Sequence, residues 1–218
     1  MPNPNLTEIV VIVDRSGSMG SIQADAQGGF NTFIEAQKKC PGEATLTLVQ
    51  FDTNYEMLCE NKPIRDVQPY TLIPRGATAL LDAMGITIAK VGERLRQTPE
   101  SSRPGKVLVA IITDGEENSS REFSRARVFD MIQHQREVYK WEFVFIAANQ
   151  DAIQTGASYG ISNSMNFAAT AVGTQSAYVN LTECTSAYRA TGHITQLPVD
   201  AENTGTGTSA SLYIKHNN

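Results

Sequence analysis

The 218-residue sequence predicts an α/β fold: a doubly wound, mostly parallel central sheet with one antiparallel strand and helices on both faces. Three short runs are almost wholly apolar and β-branched or aromatic. They are Ile9-Val10-Val11-Ile12-Val13, Val107-Leu108-Val109-Ala110-Ile111-Ile112 and Phe143-Val144-Phe145-Ile146-Ala147. They are too short for buried helices, and strands covered on both faces look like this, which implies parallel pairing. Between them, apolar residues recur at three- and four-residue steps, the period of helices. Such alternation builds an open sheet covered on both sides.

In chain order, the first run is followed by a helical stripe of Ile22, Ala26, Phe30, Phe33 and Ile34. Thr45-Leu46-Thr47-Leu48-Val49-Gln50-Phe51 alternates more and reads as a strand nearer one side of the sheet. Asp52-Thr53-Asn54 supplies turn chemistry, so Tyr55 to Cys59 can return as the antiparallel neighbour. Leu80, Leu81, Met84, Ile88, Val91 and Leu95 mark a second helix, and Phe123, Val128 and Ile132 a third, ahead of Trp141. A short helix over 152–158, a small strand at Met165-Asn166-Phe167 and a helix from about Gln175 to Tyr188 complete a domain placed at residues 7–190. Residues 191–218 are predicted to form a flexible tail. Its stretch 203–209 is low in apolar content, like a linker, and leads to Leu212-Tyr213-Ile214, an apolar hook that is either part of a disordered tail or an edge strand or docking segment.

Composition narrows the function. Asp and Glu outnumber Lys and Arg by 23 to 18, a formal charge of −5, which argues against nucleic acid as a partner. The nearest approach to a basic stripe, Arg121, Arg125 and Arg127, includes Glu122 and reads as a solvated face. Residues 1–7 lack a cationic start and an apolar stretch of signal length, and no run is long enough to span a membrane. A cytoplasmic location is the expectation. Cys40, Cys59 and Cys184 are odd in number and widely spaced, as expected for ordinary reduced thiols and not for a zinc or disulfide framework.

The chemistry concentrates at strand ends. The first apolar run leads into Asp14-Arg15-Ser16-Gly17-Ser18, and the run ending at Ile112 into Thr113-Asp114-Gly115. Each places an aspartate at the carboxyl end of a buried parallel strand, where open α/β sheets bind ligands. If the two strands are adjacent, the carboxylates face each other, and one would tend to hold a proton unless a cation lay between them. The DxSxS loop offers one carboxylate and two hydroxyls, hard donors that suit Mg2+, Mn2+ or Ca2+ in preference to zinc or copper. Gly17 permits the tight turn. Thr78, at the end of Pro74-Arg75-Gly76-Ala77, can offer a further hydroxyl. Taken singly, Ser16, Ser18 and Thr78 are equally readable as helix N-caps and Thr113-Asp114-Gly115 as a plain turn.

Together, Asp14-Arg15-Ser16-Gly17-Ser18-Met19, the Thr78 loop and Ile112-Thr113-Asp114-Gly115-Glu116-Glu117-Asn118 resemble a von Willebrand factor A (vWA) domain with its metal-ion-dependent adhesion site. The resemblance spans about Glu8 to Arg189. It implies a Rossmann-like fold and a divalent cation, Mg2+ first, held by Asp14, Ser16, Ser18 and Thr78, with Asp114 acting directly or through water. Ala77 departs from the family, which often has a second glycine there. The resemblance also implies a partner protein that supplies an Asp or Glu to the ion. Similar stand-alone domains occur in bacteria and their phages, so host cytoplasm or virion is the implied place and a structural or assembly component the alternative role.

Enzymes fare less well. No GxxxxGK[ST] loop is present, and the serine of Gly156-Ala157-Ser158-Tyr159-Gly160 has the wrong offset for a nucleophile elbow. His134 and His193 form no spaced ligand set. A magnesium-dependent phosphoryl-transfer enzyme, with Asp14 ending a strand as catalytic aspartates can and Arg15 and Arg75 as clamp, remains the enzymatic alternative, but Ser16 stands where a second aspartate is expected.

Overall fold

The computed structural model describes residues 1–149 and 151–201. Six strands form one sheet: β1 (Asn3–Asp14), β2 (Glu43–Phe51), β3 (Tyr55–Pro63), β4 (Pro104–Thr113), β5 (Glu142–Ala148) and β6 (Asn163–Phe167). Their order is β3-β2-β1-β4-β5-β6, with only β2–β3 antiparallel. The helices are α1 (Gln23–Lys39), α2 (Leu80–Gln97), α3 (Arg125–Tyr139), α4 (Ala152–Ser158) and α5 (Ala171–Thr191). This is the predicted mostly parallel sheet with one antiparallel strand.

Alternation along each strand divides the core into two. Ile9, Val11 and Val13 of β1 join Leu108, Ala110 and Ile112 of β4 beneath Phe30 and Phe33 of α1 and Leu181 of α5. Val10 and Ile12 join Val109 and Ile111 on the other face, beneath Met84 and Val91 of α2 and Ile132 of α3. Strands buried on both sides must be apolar at every position, which is why the three runs lack polar residues.

Two segments exceed their predicted limits. β1 begins at Asn3, because the residues ahead of Ile9 still pair, Leu6 with Glu43 and Thr7 with Ala44, and only Pro4 and Asn5 at its start are exposed. Within it Glu8 is fully buried, accepting from Thr47 Oγ1 and ion-paired with Arg94. Beyond α5, residues 192–201 run along β6: Asn166 N donates to Val199 O (2.7 Å), Leu197 N donates to Asn163 Oδ1 (2.7 Å), and Leu197 and Ala201 are buried. The predicted linker and the 212–214 hook lie outside the described residues. All three cysteines are free, and Arg121, Arg125 and Arg127 are exposed. No helix among the described residues is long and apolar enough to cross a membrane.

β1 and β4 are adjacent, and the chain leaves β1 toward β2 on one side while β4 continues on the other. Their carboxyl ends therefore flank the topological switch point of the sheet, the usual ligand crevice of this architecture.

Candidate metal centre

Asp14 closes β1 one residue beyond the Val13–Ile112 pairing, so it stands beside Thr113 at the end of β4. Its Oδ1 accepts from Ser16 N and its Oδ2 from Thr113 Oγ1, both at 2.6 Å. Ser16 Oγ and Ser18 Oγ lie 2.9 Å apart, and Ser18 Oγ donates to Asp114 Oδ1 at 2.6 Å. Neither serine nor Thr78 caps a helix with its hydroxyl: Ser16 stands at the N-cap of the short 3-10 helix Gly17–Ile22 and Ala79 at that of α2, both without a side-chain cap bond. With capping ruled out, the hydroxyls stay available inside the crevice.

Thr78 is brought to the same place from a distant loop. Its N–H donates to Asn118 Oδ1 (2.9 Å), and Asn118 N donates to Thr78 O (3.1 Å). Glu117 accepts from Leu81 N at the start of α2, which suits an acid at a helix N-terminus, and Asp82 accepts from the N–H groups of Arg121, Glu122 and Phe123. These bonds tie the segment after β4 to the start of α2. A β-carbon built on Gly115 would lie 3.2 Å from Thr78 Oγ1, 3.4 Å from Ser18 Oγ and 3.9 Å from Ser16 Oγ. Three hydroxyls from two loops thus converge over one glycine, whose missing side chain leaves the space between them open.

Asp14, Ser16, Thr78 and Asp114 are buried, whereas Ser18 is exposed and marks the open side. Burial pushes the Asp14 carboxyl up to about 6, against the opposing Thr113 and Ser16 bonds and with the Asp114 charge adding to the rise. Burial also raises Asp114, against its Ser18 bond. Among the described residues, Asp114 Oδ2 is buried with no hydrogen-bond partner. Arg15, although it sits between the candidate ligands in sequence, is ion-paired to Asp52 (3.0 Å) and Glu56 (3.0 Å).

An orphaned carboxylate oxygen, a second carboxylate raised by burial and three convergent hydroxyls fit a hard divalent cation. The donors are oxygens throughout; among the described residues no three His, Cys, Asp or Glu side chains are grouped to hold a metal. Two cavities lie away from this site, one of about 500 Å3 between α1 and α5 and one of about 380 Å3 between α2 and α3 at the amino ends of β4 and β5.

The loop carrying Thr78 depends on Gly76, whose φ is +72° and whose N-terminal neighbour Arg75 donates its N–H to Arg15 O (2.8 Å). A β-carbon on Gly76 would meet Thr53 Oγ1 at 3.0 Å and Asp52 Cβ at 3.1 Å. Left-handed backbone alone costs an L-residue about 1–2 kcal/mol. Gly76→Ala is therefore expected to lower the melting temperature by roughly 2–8 °C, measurable by calorimetry.

All five predicted ligands, Asp14, Ser16, Ser18, Thr78 and Asp114, come together. Sequence reading missed Thr113, Glu117 as the group that holds Leu81, Asp82, and Asn149, whose Nδ2 donates to Asp114 O (3.0 Å). A hydroxyl closing an otherwise apolar run was the available signal for Thr113.

No family model matches the chain, and no curated protein matches it in sequence. Solved structures do. The vWF domain of the type V pili tip protein Mfa5 from Porphyromonas gingivalis matches at TM-score 0.60 and 10% identity, over 87% of this chain and 98% of that one. A von Willebrand factor type A protein from Catenulispora acidiphila matches at 0.58 and 14%, over 83% and 42%. Proximal thread matrix protein 1 from the mussel byssus, with a zinc-occupied MIDAS motif, matches at 0.57 and 14%, over 83% and 46%. The chain spans less than half the length of the last two. At these identities the likeness is one of fold: this chain has the fold of von Willebrand factor A domains.

Proposed function

We propose that this chain is a divalent-metal-dependent protein-binding module, in which an ion held by Asp14, Ser16, Ser18, Thr78 and Asp114 accepts a carboxylate from a partner protein. The observation that carries this reading is the unpartnered, buried Asp114 Oδ2 beside the three hydroxyls gathered over Gly115. Two carboxylates contribute −2 and neutralise the ion's charge, while the hydroxyls add none. The ion therefore keeps Lewis acidity for an outside ligand. Mg2+ is the proposed ion, with Mn2+ or Ca2+ as substitutes, because the donors are all hard oxygens; zinc in the byssal relative belongs to that protein.

A binding role without catalysis is supported by the engagement of Arg15 with Asp52 and Glu56, which removes one arm of a phosphate clamp. A protein partner, and not nucleic acid, fits a formal charge of −5.

The test is a panel of synthetic peptides with single Glu residues, offered to metal-stripped protein in Mg2+ or in chelator. The expected result is binding in Mg2+ alone, lost when the peptide Glu becomes Gln. Binding indifferent to both changes would refute the reading. An assembly role is the second reading, since two structural relatives are a thread matrix protein and a pilus tip protein; its mark is self-association that survives chelation.

A further inference from the structure

The segment 67–79 is free of regular secondary structure apart from a bend, yet it is tied down along its length. Three side chains spaced four apart on α1 hold one end. Asn31 donates to Tyr70 O (2.9 Å) and accepts from Tyr70 N (2.8 Å), Gln27 accepts from Leu72 N (3.0 Å), and Gln23 donates to Leu72 O (2.7 Å). The other end pairs with the candidate metal loop, where Arg75 N donates to Arg15 O (2.8 Å) and Gly17 N to Gly76 O (3.1 Å), and with the β2–β3 turn, where Ala77 N donates to Thr53 Oγ1 (3.0 Å). Between these anchors stand Ile73, 63% exposed, and Arg75, whose side chain is 60% exposed. Pro74 further restricts Ile73 to extended backbone.

One exposed isoleucine is unremarkable by itself. Here it shares a pinned loop with an arginine whose side chain, among the described residues, is bonded through Nε to Asp52 Oδ2 (2.8 Å). Asp52 is shared with the buried Arg15, which takes Glu56 as well. The terminal nitrogens of Arg75 therefore keep the fork that matches a carboxylate. The backbone of Arg75 is hydrogen-bonded to Arg15, the residue just before Ser16, so the loop that carries this fork borders the candidate metal loop.

We infer that the partner segment carries two acidic residues: one ligates the ion and the second pairs with Arg75, with an apolar side chain of the same segment against Ile73. This rests on the metal-dependent reading above and names its partner more closely. Because the loop is immobilised beforehand, little ordering is lost on docking. In an extended peptide, at about 3.3 Å per residue, acids two to four residues apart span roughly 7–13 Å, and these are the separations to test.

The test uses otherwise uncharged dodecapeptides with one Glu, or with two Glu separated by two, three or four positions, in Mg2+. At least one diacidic peptide is expected to bind about tenfold tighter than the monoacidic one, a difference of about 1.4 kcal/mol. Arg75→Gln should erase that preference, Arg75→Lys should reduce it, and Ile73→Ser should weaken binding of peptides with a leucine between the acids. The Mg2+-induced rise in melting temperature should persist in each variant, which shows that the crevice is intact. Equal affinity for one acid and two would overturn this inference and leave the metal-dependent reading standing. Failure of every acidic peptide to bind Mg2+-loaded protein would overturn both.

Discussion

Asp14→Asn is expected to make the metal-free protein more stable at pH 7 while abolishing its response to divalent cations. The two effects have one cause. In the fold the Asp14 carboxyl titrates at about 6 instead of 3.8, chiefly because it is buried. A group whose folded pKa is raised stabilises the fold fully below its unfolded pKa. That contribution is lost as pH rises through the folded value, here between about pH 4 and 6. At 1.36 kcal/mol per unit, the penalty of ionised Asp14 at pH 7 is about 3 kcal/mol as an upper figure. Asparagine keeps the shape and can still accept from Ser16 N, but carries no charge to desolvate. Melting should rise by roughly 5–10 °C over the metal-free wild type and lose the decline between pH 4 and 6. Addition of Mg2+ or Mn2+ should then raise the wild type alone, since ligands must be deprotonated to bind. A destabilised Asn variant that still responds to metal would contradict the assignment.

Gly115→Ala is expected to block the site by shape alone. Its φ is not in the left-handed region, so alanine meets no backbone penalty. The added methyl would stand 3.2 Å from Thr78 Oγ1, 3.4 Å from Ser18 Oγ and 3.9 Å from Ser16 Oγ, in the space the hydroxyls share. An ion held at about 2.1 Å by these oxygens, with its remaining waters, needs that space. Metal affinity should fall at least tenfold, about 1.4 kcal/mol, while stability changes by no more than about 1 kcal/mol. Calorimetric titration and a metal-free melt read the two quantities separately. Unchanged affinity would mean that the hydroxyls do not gather around an ion.

Much of this was legible because burial on both faces of a parallel sheet leaves continuous apolar runs, and those runs end at the ligand crevice. Asp14 and Asp114 could be placed at strand ends from Ile9–Val13 and Val107–Ile112 alone. The parts that escaped are held by polar residues bonding to backbone far away in sequence. Asn118 grips Thr78 across 40 positions, and Gln23 grips Leu72 across 49. Such bonds carry no periodicity, and the side chains that make them look like ordinary surface amides. The edge of the fold escaped for a related reason. Asn3 and Val199 are held by main-chain hydrogen bonds to Arg103 and Asn166, which any sequence can make. Ser16 and Thr78 were ambiguous because a hydroxyl near a helix start serves a cap or an ion equally well; only the missing cap bonds separate the two.

The most direct test of the account is a calorimetric titration of metal-stripped wild-type protein with Mn2+ and Mg2+ at pH 7, beside Asp14→Asn. The expected result is saturable binding of one ion by the wild type, loss of that binding in the variant, and release by chelator. No saturable binding by the wild type, or equal binding by the variant, would contradict it.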